Sequence, residues 1–362
     1  MGLPEKIRAI EEEMKRTQIH KHTEHHVGLL KAKLARLKAE QDSSQRSRQG
    51  GEGFELKKSG DCTVVLIGLP SVGKSTILNR LTNAKSKVAS YAFTTLTVVP
   101  GLFEYKGARI QVLDLPGIIA GAATGAGRGR RVLSVARNAD LVLLVLDVFQ
   151  PDQIGVLKKE LYEMGIRVNT QAPNVSIEYS SHGGIGITAT CKLTKLSEET
   201  ARAILNIYKV HGRAIIREDI TDDQLIDVVA GNRHYVPALT VLNKIDLVSS
   251  RYIPEASKRI GEEFVPISAD QNINIDKLKA AIYDRLNLIR VYLKPRNGPA
   301  DLEEPLIVAS GATISDVCDK ISRRFAGDAK YALVSGTSVS FSPQRVGMNH
   351  VLQDRDIVTI IK

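Results

Sequence analysis

The chain has 362 residues, 43% hydrophobic and 25% charged, with a net charge of +10. It contains no run of 18 apolar residues and no N-terminal apolar signal core, which excludes a transmembrane helix and points to a cytoplasmic protein. Its three cysteines, Cys62, Cys191 and Cys318, are far apart, which excludes a disulfide framework or a paired-cysteine zinc site, while the basic excess suits a polyanionic partner.

Two helices are predicted over residues 4–41. One carries an apolar stripe of Ile7, Ile10 and Met14, the other a seam of Val27, Leu30, Leu34 and Leu37. The connector holds His20, His22, His25 and His26. A solvated turn is the plainer reading of these histidines, with a metal site or a contact to RNA phosphate as alternatives. Lys21, Lys31, Lys33, Arg36 and Lys38 favour such a phosphate contact. Residues 42–53 are rich in Ser, Gln, Gly and Arg and read as a linker.

An apolar strand over residues 64–67 then runs into Gly68-Leu-Pro-Ser-Val-Gly-Lys-Ser-Thr76, and Ile77, Leu78 and Leu81 continue at helical spacing. Strand, glycine-rich loop and helix in that order make a phosphate-binding loop. Gly68 and Gly73 let the backbone N–H groups of the loop, through Pro70, Ser71 and Val72, converge on phosphate oxygens. The helix N-terminus adds its dipole. Lys74 is expected on the β- and γ-phosphates, and the Ser75 hydroxyl on Mg²⁺. Thr76 closes the loop.

The next motif, residues 90–97, places a threonine to ligate Mg²⁺ and sense the γ-phosphate, Thr95 by preference and Thr94 as the alternative. A strand over 109–113 leads to Asp114-Leu-Pro-Gly117, where Asp114 would hold Mg²⁺ through water and the Gly117 N–H would meet the γ-phosphate. Lys74, Thr95 and Gly117 are therefore the catalytic candidates. Ile118 stands where Ras-like enzymes use a glutamine to orient water. Arg128, Arg130 and Arg131 either begin a helix or supply a charge to the transition state.

A strand over 141–146 and a helix over 152–164 follow. The distance from Asp147 to the next motif far exceeds the about 25 to 30 residues that a helix, two loops and a strand need. An α+β subdomain is therefore expected at 167–237. Its alternating segments 175–179 and 185–189 flank Gly183-Gly184 and read as a hairpin. Ser197 and Thr221 are expected helix caps, and Gly231 a helix stop.

Asn243-Lys-Ile-Asp246 follows a strand over 238–242. Asp246 can accept both N1–H and the 2-amino group of guanine, Lys244 can lie over the base, and Asn243 can tie this loop to the phosphate loop. Adenine would leave that carboxylate unpaired, a mismatch worth roughly 10⁴-fold. After a strand at 264–267, Ser268-Ala269 can present the Ala269 N–H to guanine O6. These motifs lie in order at strand C-terminal ends, where α/β sheets bind ligands, and make GTP binding and hydrolysis the expectation. From about 290 a new unit begins. Strands are expected at 291–293, 306–308, 331–334, 339–341 and 356–361. A helix capped by Thr313 would carry Ile314, Val317, Cys318, Ile321 and Phe325 on one face.

Residues 68–76, Tyr91-Ala-Phe-Thr-Thr-Leu-Thr97, Asp114-Leu-Pro-Gly-Ile-Ile119 and Gly127-Arg-Gly-Arg-Arg-Val132 resemble the Obg-related GTPases. More narrowly, with Glu13-Met-Lys-Arg-Thr-Gln18 and residues 25–35, nearly the whole chain resembles the developmentally regulated GTP-binding proteins. The resemblance implies an α/β fold in four parts: an N-terminal helical hairpin (1–48), a P-loop GTPase domain (60–289), the inserted α+β subdomain (167–237) and a C-terminal β-grasp TGS domain (290–362). It implies GTP and GDP as ligands with Mg²⁺, slow hydrolysis helped by K⁺, and a ribosome-associated role in translation with rRNA contact. It also suggests a dedicated partner protein, no membrane, and a monomer. Ser71 stands where potassium-dependent relatives often carry Asn. A nucleotide-gated RNA-binding scaffold with negligible turnover is the competing reading.

Overall fold

The computed structural model describes residues 2–18, 20, 23–48, 60–82, 99–115, 135–180, 184–322 and 329–361. Along the chain these residues form α1 (Leu3–Arg16), α2 (Glu24–Arg48), β1 (Cys62–Ile67), α3 (Lys74–Thr82), β2 (Val99–Tyr105), β3 (Ala108–Asp114), β4 (Leu141–Asp147), α4 (Gln153–Glu163), β5 (Ile166–Val168), β6 (Val175–Tyr179), β7 (Ile185–Ala189), α5 (Glu198–Ile207), β8 (Gly212–Ile216), α6 (Asp222–Ala230), β9 (His234–Val236) and β10 (Ala238–Asn243). They continue with α7 (Tyr252–Ile260), β11 (Phe264–Pro266), α8 (Ile275–Leu286), β12 (Leu288–Leu293), β13 (Leu306–Ala309), α9 (Ile314–Ile321), β14 (Tyr331–Ser335), β15 (Gln344–Val346) and β16 (Asp356–Ile361). The chain divides into two compact units, residues 55–169 with 236–362, and residues 1–54 with 170–235.

The first unit is built on a six-stranded sheet in the order β11-β10-β4-β1-β3-β2. Every neighbouring pair is parallel except β2 with β3. A parallel sheet needs both faces covered, and β1 is buried at all six positions accordingly. Its period of two sends Val64 and Leu66 into a cluster with Ile77 and Leu78 of α3 and Leu278 and Ile282 of α8. Val65 and Ile67 face the other way, into a cluster with Leu161 of α4, Leu113 and Leu144. Because β1 lies between β4 and β3, the chain order reverses beside it, and a crevice opens at the strand C-termini.

The same unit holds a five-stranded sheet in the order β13-β12-β16-β14-β15, with α9 packed on one face through Ile314, Val317 and Cys318. Thr313 caps α9 in a capping box with Asp316, a feature worth about 1 kcal/mol. Ile307 of β13 departs from this cluster and is buried with Tyr283 and the larger sheet's core. The strand expected at 339–341 does not form. Instead β15 pairs with β14, and the amides of Ser340 and Phe341 bond the Gln344 side chain. The helix ends at Ile321, which is exposed rather than part of the expected apolar face, and Phe325 lies outside the described residues.

In the second unit, β6 and β7 do not form the expected hairpin. Both pair with β8, in the order β6-β8-β7, antiparallel on one side and parallel on the other. The strand between them was not expected from the sequence, and its Ala214 and Ile216 supply the buried face. Ser197 caps α5 and Thr221 caps α6, while Gly231 ends α6 at φ 60°. The long helix α2 packs on α5 and α6. Ala32 is wholly buried among Ala201, Ile204, Leu225 and Ile226, and a Cβ on Gly28 would meet Thr200 Cγ2 at 3.2 Å. The α2 helix also runs on to Arg48, through residues expected to form a linker, because no glycine or proline interrupts the chain before Gly50.

Candidate functional site: a phosphate loop tied to a base-recognition loop

The phosphate loop connects β1 to α3. Gly68 is confined by the Val145 carbonyl, which would lie 2.6 Å from a Cβ there. Gly73 has φ 91°, and a Cβ on it would stand 2.4 Å from Asn243 Nδ2. Ser71 adopts φ 65° without being glycine, and its side chain is exposed beside Pro70. Lys74, the first residue of α3, turns back over the loop and donates to the carbonyls of Gly68 at 3.1 Å and Leu69 at 2.9 Å. Burial lowers its pKa, and Asp114 opposes that shift. Thr76 follows Ser75, exposed, on the first turn of α3.

Asp114 ends β3, in register with Leu66 on β1. Its Oδ2 accepts a 2.5 Å hydrogen bond from Ser75 Oγ. Its Oδ1 is buried and meets no hydrogen-bond donor among the described residues. Burial raises its pKa, with the Ser75 bond and Lys74 pulling it back. A hydroxyl and a carboxylate side by side, one oxygen buried and unused, are the hard donors that Mg²⁺ takes, so the residues present fit that ion.

Asn243, at the end of β10, is 2% exposed. Its Nδ2 donates to the Val72 carbonyl at 2.9 Å, and its Oδ1 accepts from the Ala269 N–H at 3.0 Å. One amide therefore fastens the phosphate loop to the loop after β11. Ser268 is fully buried and its Oγ accepts from the Gln271 N–H, which closes that loop. Lys244 takes φ 69°, and its Nζ lies 2.6 Å from Asp147 Oδ2. Asp246, in the short 3-10 turn Ile245–Leu247, is exposed. The structure thus brings residues 68–76, Asp114, Asn243, Lys244 and Ala269 to the C-terminal ends of β1, β3 and β10, with Asp246 beside them. Asp147, which sequence reasoning used only to mark a strand end, joins them. Its place at the end of the apolar run 141–146 was the signal available in the sequence, and the structure makes it the register partner of Asn243. Thr95, Thr94, Gly117, Ile118, Arg128, Arg130 and Arg131 lie outside the described residues.

The other candidates go elsewhere. His25 Nδ1 pairs with Thr200 Oγ1 at 2.8 Å, His26 Nε2 with Glu13 Oε1 at 3.0 Å and His20 Nε2 with Gln18 Oε1 at 3.1 Å; His22 lies outside the described residues. No group of three or more His, Cys, Asp or Glu that could hold a metal ion is found among the described residues. Lys31 and Arg36, expected on RNA phosphates, are engaged inside the protein. Lys31 Nζ bonds Asp222 at 3.2 Å and Asp223 at 2.8 Å, and Arg36 Nη1 bonds the Ile207 carbonyl at 2.5 Å. Lys33 remains exposed. The apolar face of α2 faces α5 and α6, and that packing draws its flanking cations inward.

Comparison with known proteins gives consistent matches. Residues 63–178 match the family described as 50S ribosome-binding GTPase, residues 182–288 the C-terminal region of the MMR_HSR1 domain, and residues 289–362 the TGS domain. An uncharacterized GTP-binding protein of Methanocaldococcus jannaschii is 51% identical over 100% of this chain and 93% of its own length. Developmentally-regulated GTP-binding protein 2 of Homo sapiens is 46% identical, and its homolog in Dictyostelium discoideum 48%, each covering 100% of both chains. Among solved structures, the FeoB G domain from Methanococcus jannaschii is 22% identical over 62% of this chain and 97% of that one, with a TM-score of 0.35.

Proposed function

Because this chain belongs to the developmentally regulated GTP-binding protein family, we propose that it hydrolyses GTP to GDP and phosphate while docked on the ribosome, as a translation factor. The observation that carries the nucleotide part is the Asn243 amide, which holds Val72 of the phosphate loop and Ala269 of the base loop at once. A phosphate grip and a guanine grip fastened together can read both ends of one nucleotide.

The roles follow from position. The amides of residues 68–76 and the α3 N-terminus receive the phosphates. Lys74, released from the Gly68 and Leu69 carbonyls, supplies charge to the β- and γ-phosphates. Ser75 and Asp114 would hold Mg²⁺, joined by the Thr95 hydroxyl, and the ion would neutralise charge on the phosphate oxygens. Thr95 and the Gly117 N–H would meet the γ-phosphate. Asp246 receives N1–H and the 2-amino group of guanine, Lys244 covers the base, and Ala269 N–H meets O6, with Ser268 shaping that loop. Ile118 offers no hydrogen bond, so the attacking water is placed by backbone groups or Thr95, and hydrolysis by the isolated protein is slow. Faster hydrolysis in potassium than in sodium is part of the proposal. Its support is the family likeness rather than Ser71, whose hydroxyl bonds none of the described residues.

The ribosomal part is supported by the family described for residues 63–178 and by the TGS match. The test is multiple-turnover phosphate release with and without ribosomes, together with Asp246→Asn. Ribosomes should accelerate turnover. Asp246→Asn should weaken GTP and gain xanthosine triphosphate, whose 2-oxo group suits an amide donor. Unchanged GTP affinity in Asp246→Asn would remove the guanine assignment. Turnover that stays negligible on ribosomes would favour a nucleotide-gated RNA-binding scaffold.

A further inference from the structure

We infer that Asp147 is a positioning residue for the base site, acting through Lys244 to set nucleotide affinity. The inference rests on the guanine-site reading above and adds to it a residue outside the motifs that carry that reading.

Asp147 ends β4 directly beside Asn243 in the parallel pairing of β4 with β10. Its two oxygens are committed to different partners. Oδ1 accepts the Phe149 N–H at 3.0 Å and shapes the turn after β4. Oδ2 lies 2.6 Å from Lys244 Nζ. The side chains are 16% and 31% exposed, so the pair is shielded from solvent on most sides. Lys244 itself sits at φ 69°, in the left-handed region that a residue with a Cβ adopts only at a cost. Its four-carbon stem would otherwise sample many rotamers, and freezing them on ligand binding costs conformational entropy. With backbone and ammonium both fixed, the stem is held before a base arrives. Preorganisation of this kind strengthens binding without adding a contact.

The site also explains why a carboxylate belongs here. Asp147 borders a 440 Å³ cavity with Leu69, Pro70, Ser71, Val72 and Phe149, so it stands next to the phosphate loop. A carboxylate that near to bound phosphates is repelled by them unless a cation neutralises it, and Lys244 is the cation bonded to it. Without Asp147 the ammonium loses the carboxylate that anchors it, and the stem is no longer held in one place before the base binds.

Asp147→Asn is the informative substitution, because the amide oxygen still accepts the Phe149 N–H while the charge is lost. Dissociation of fluorescent GDP and GTP should speed up by roughly fivefold, the upper range for an ion pair that is not fully buried. The deciding measurement is a double-mutant cycle with Lys244→Met. If Asp147 acts through Lys244, adding Asp147→Asn to Lys244→Met costs nothing further. Structural damage from Asp147→Asn would persist in the Lys244→Met background, so additive losses overturn the inference, as does an unchanged dissociation rate in the single variant. Asp246→Asn serves as the separate control. If it leaves base choice unaltered, the guanine-site reading itself fails. If it shifts base choice while Asp147→Asn has no effect, only the role of Asp147 fails.

Discussion

Burial in the folded protein works against the ionised forms of both Asp114 and Lys74. Burial raises the pKa of Asp114, against the Ser75 bond and Lys74. A carboxyl with a raised pKa favours the fold while protonated, and that contribution is lost as pH rises through the raised value. At neutral pH the ionised form therefore burdens the nucleotide-free protein. Asp114→Asn should raise its melting temperature, since the amide oxygen still accepts from Ser75, and should abolish Mg²⁺-dependent hydrolysis. A thermal scan and a phosphate-release assay check the two halves, and a lower melting temperature would show that the charge-assisted Ser75 bond outweighs desolvation. Lys74→Ala should abolish hydrolysis. Ser75→Ala should raise the Mg²⁺ requirement, read from titrations of rate against free Mg²⁺.

The helix α2 behaves as part of the inserted subdomain's core. Lys31 bonds both Asp222 and Asp223; burial lowers its pKa, and those two carboxylates more than offset this. The raised pKa means that the contribution holds below the ordinary lysine value and is lost as pH climbs through the folded one. Lys31→Met should cost about 1 kcal/mol at neutral pH, seen in denaturant unfolding, with the difference from the unmodified protein shrinking in strong alkali. Deleting residues 1–48 should uncover the apolar surfaces of α5 and α6 around Ala201, Ile204 and Leu225. Limited proteolysis should then cut within 170–235 faster, and a pattern identical to the full chain would contradict the packing. Patterns within single elements were legible at this scale: the Thr221 cap of α6, the Ser197 cap of α5, the glycine stop at Gly231. The partner of each strand was not. Segments 175–179 and 185–189 carry the right alternation for a hairpin, yet β8, from farther along the chain, lies between them. Alternation specifies a face and leaves the neighbour open.

For the whole molecule, the C-terminal β-grasp region and the larger sheet share one compact unit. Ile307 is buried in the larger sheet's core, and Lys320 Nζ bonds Asp61 Oδ1 at 3.1 Å. Removing residues 290–362 should therefore weaken ribosome co-sedimentation and also lower the melting temperature, by exposing the surface around Tyr283. The net charge of +10 sets the accompanying salt dependence. Co-sedimentation of the full chain should fall steeply with added salt if phosphate contacts dominate, and a flat response would point to protein contacts. Lys33→Ala tests an exposed cation of the expected phosphate contact; Lys31 and Arg36 are unsuitable, because changing them alters the fold as well.

The sequence by itself determined the nucleotide chemistry. A phosphate loop needs glycines, a lysine and a hydroxyl at fixed local spacing, and a guanine loop needs its Asn, Lys and Asp within four residues. Short-range geometry dictates such patterns, so they are readable without a fold. The tie from Asn243 to the phosphate loop was expected from its motif, and tertiary structure decided which atoms make it and what else joins the site. The Asn243 amide reaches Val72 across 171 residues, Lys244 meets Asp147 across 97, and Lys31 meets Asp223 across 192. Contacts at those separations arise from the order of strands in a sheet and from which helix faces are covered. Those depend on the packing of the whole core, and no local run of residues encodes them.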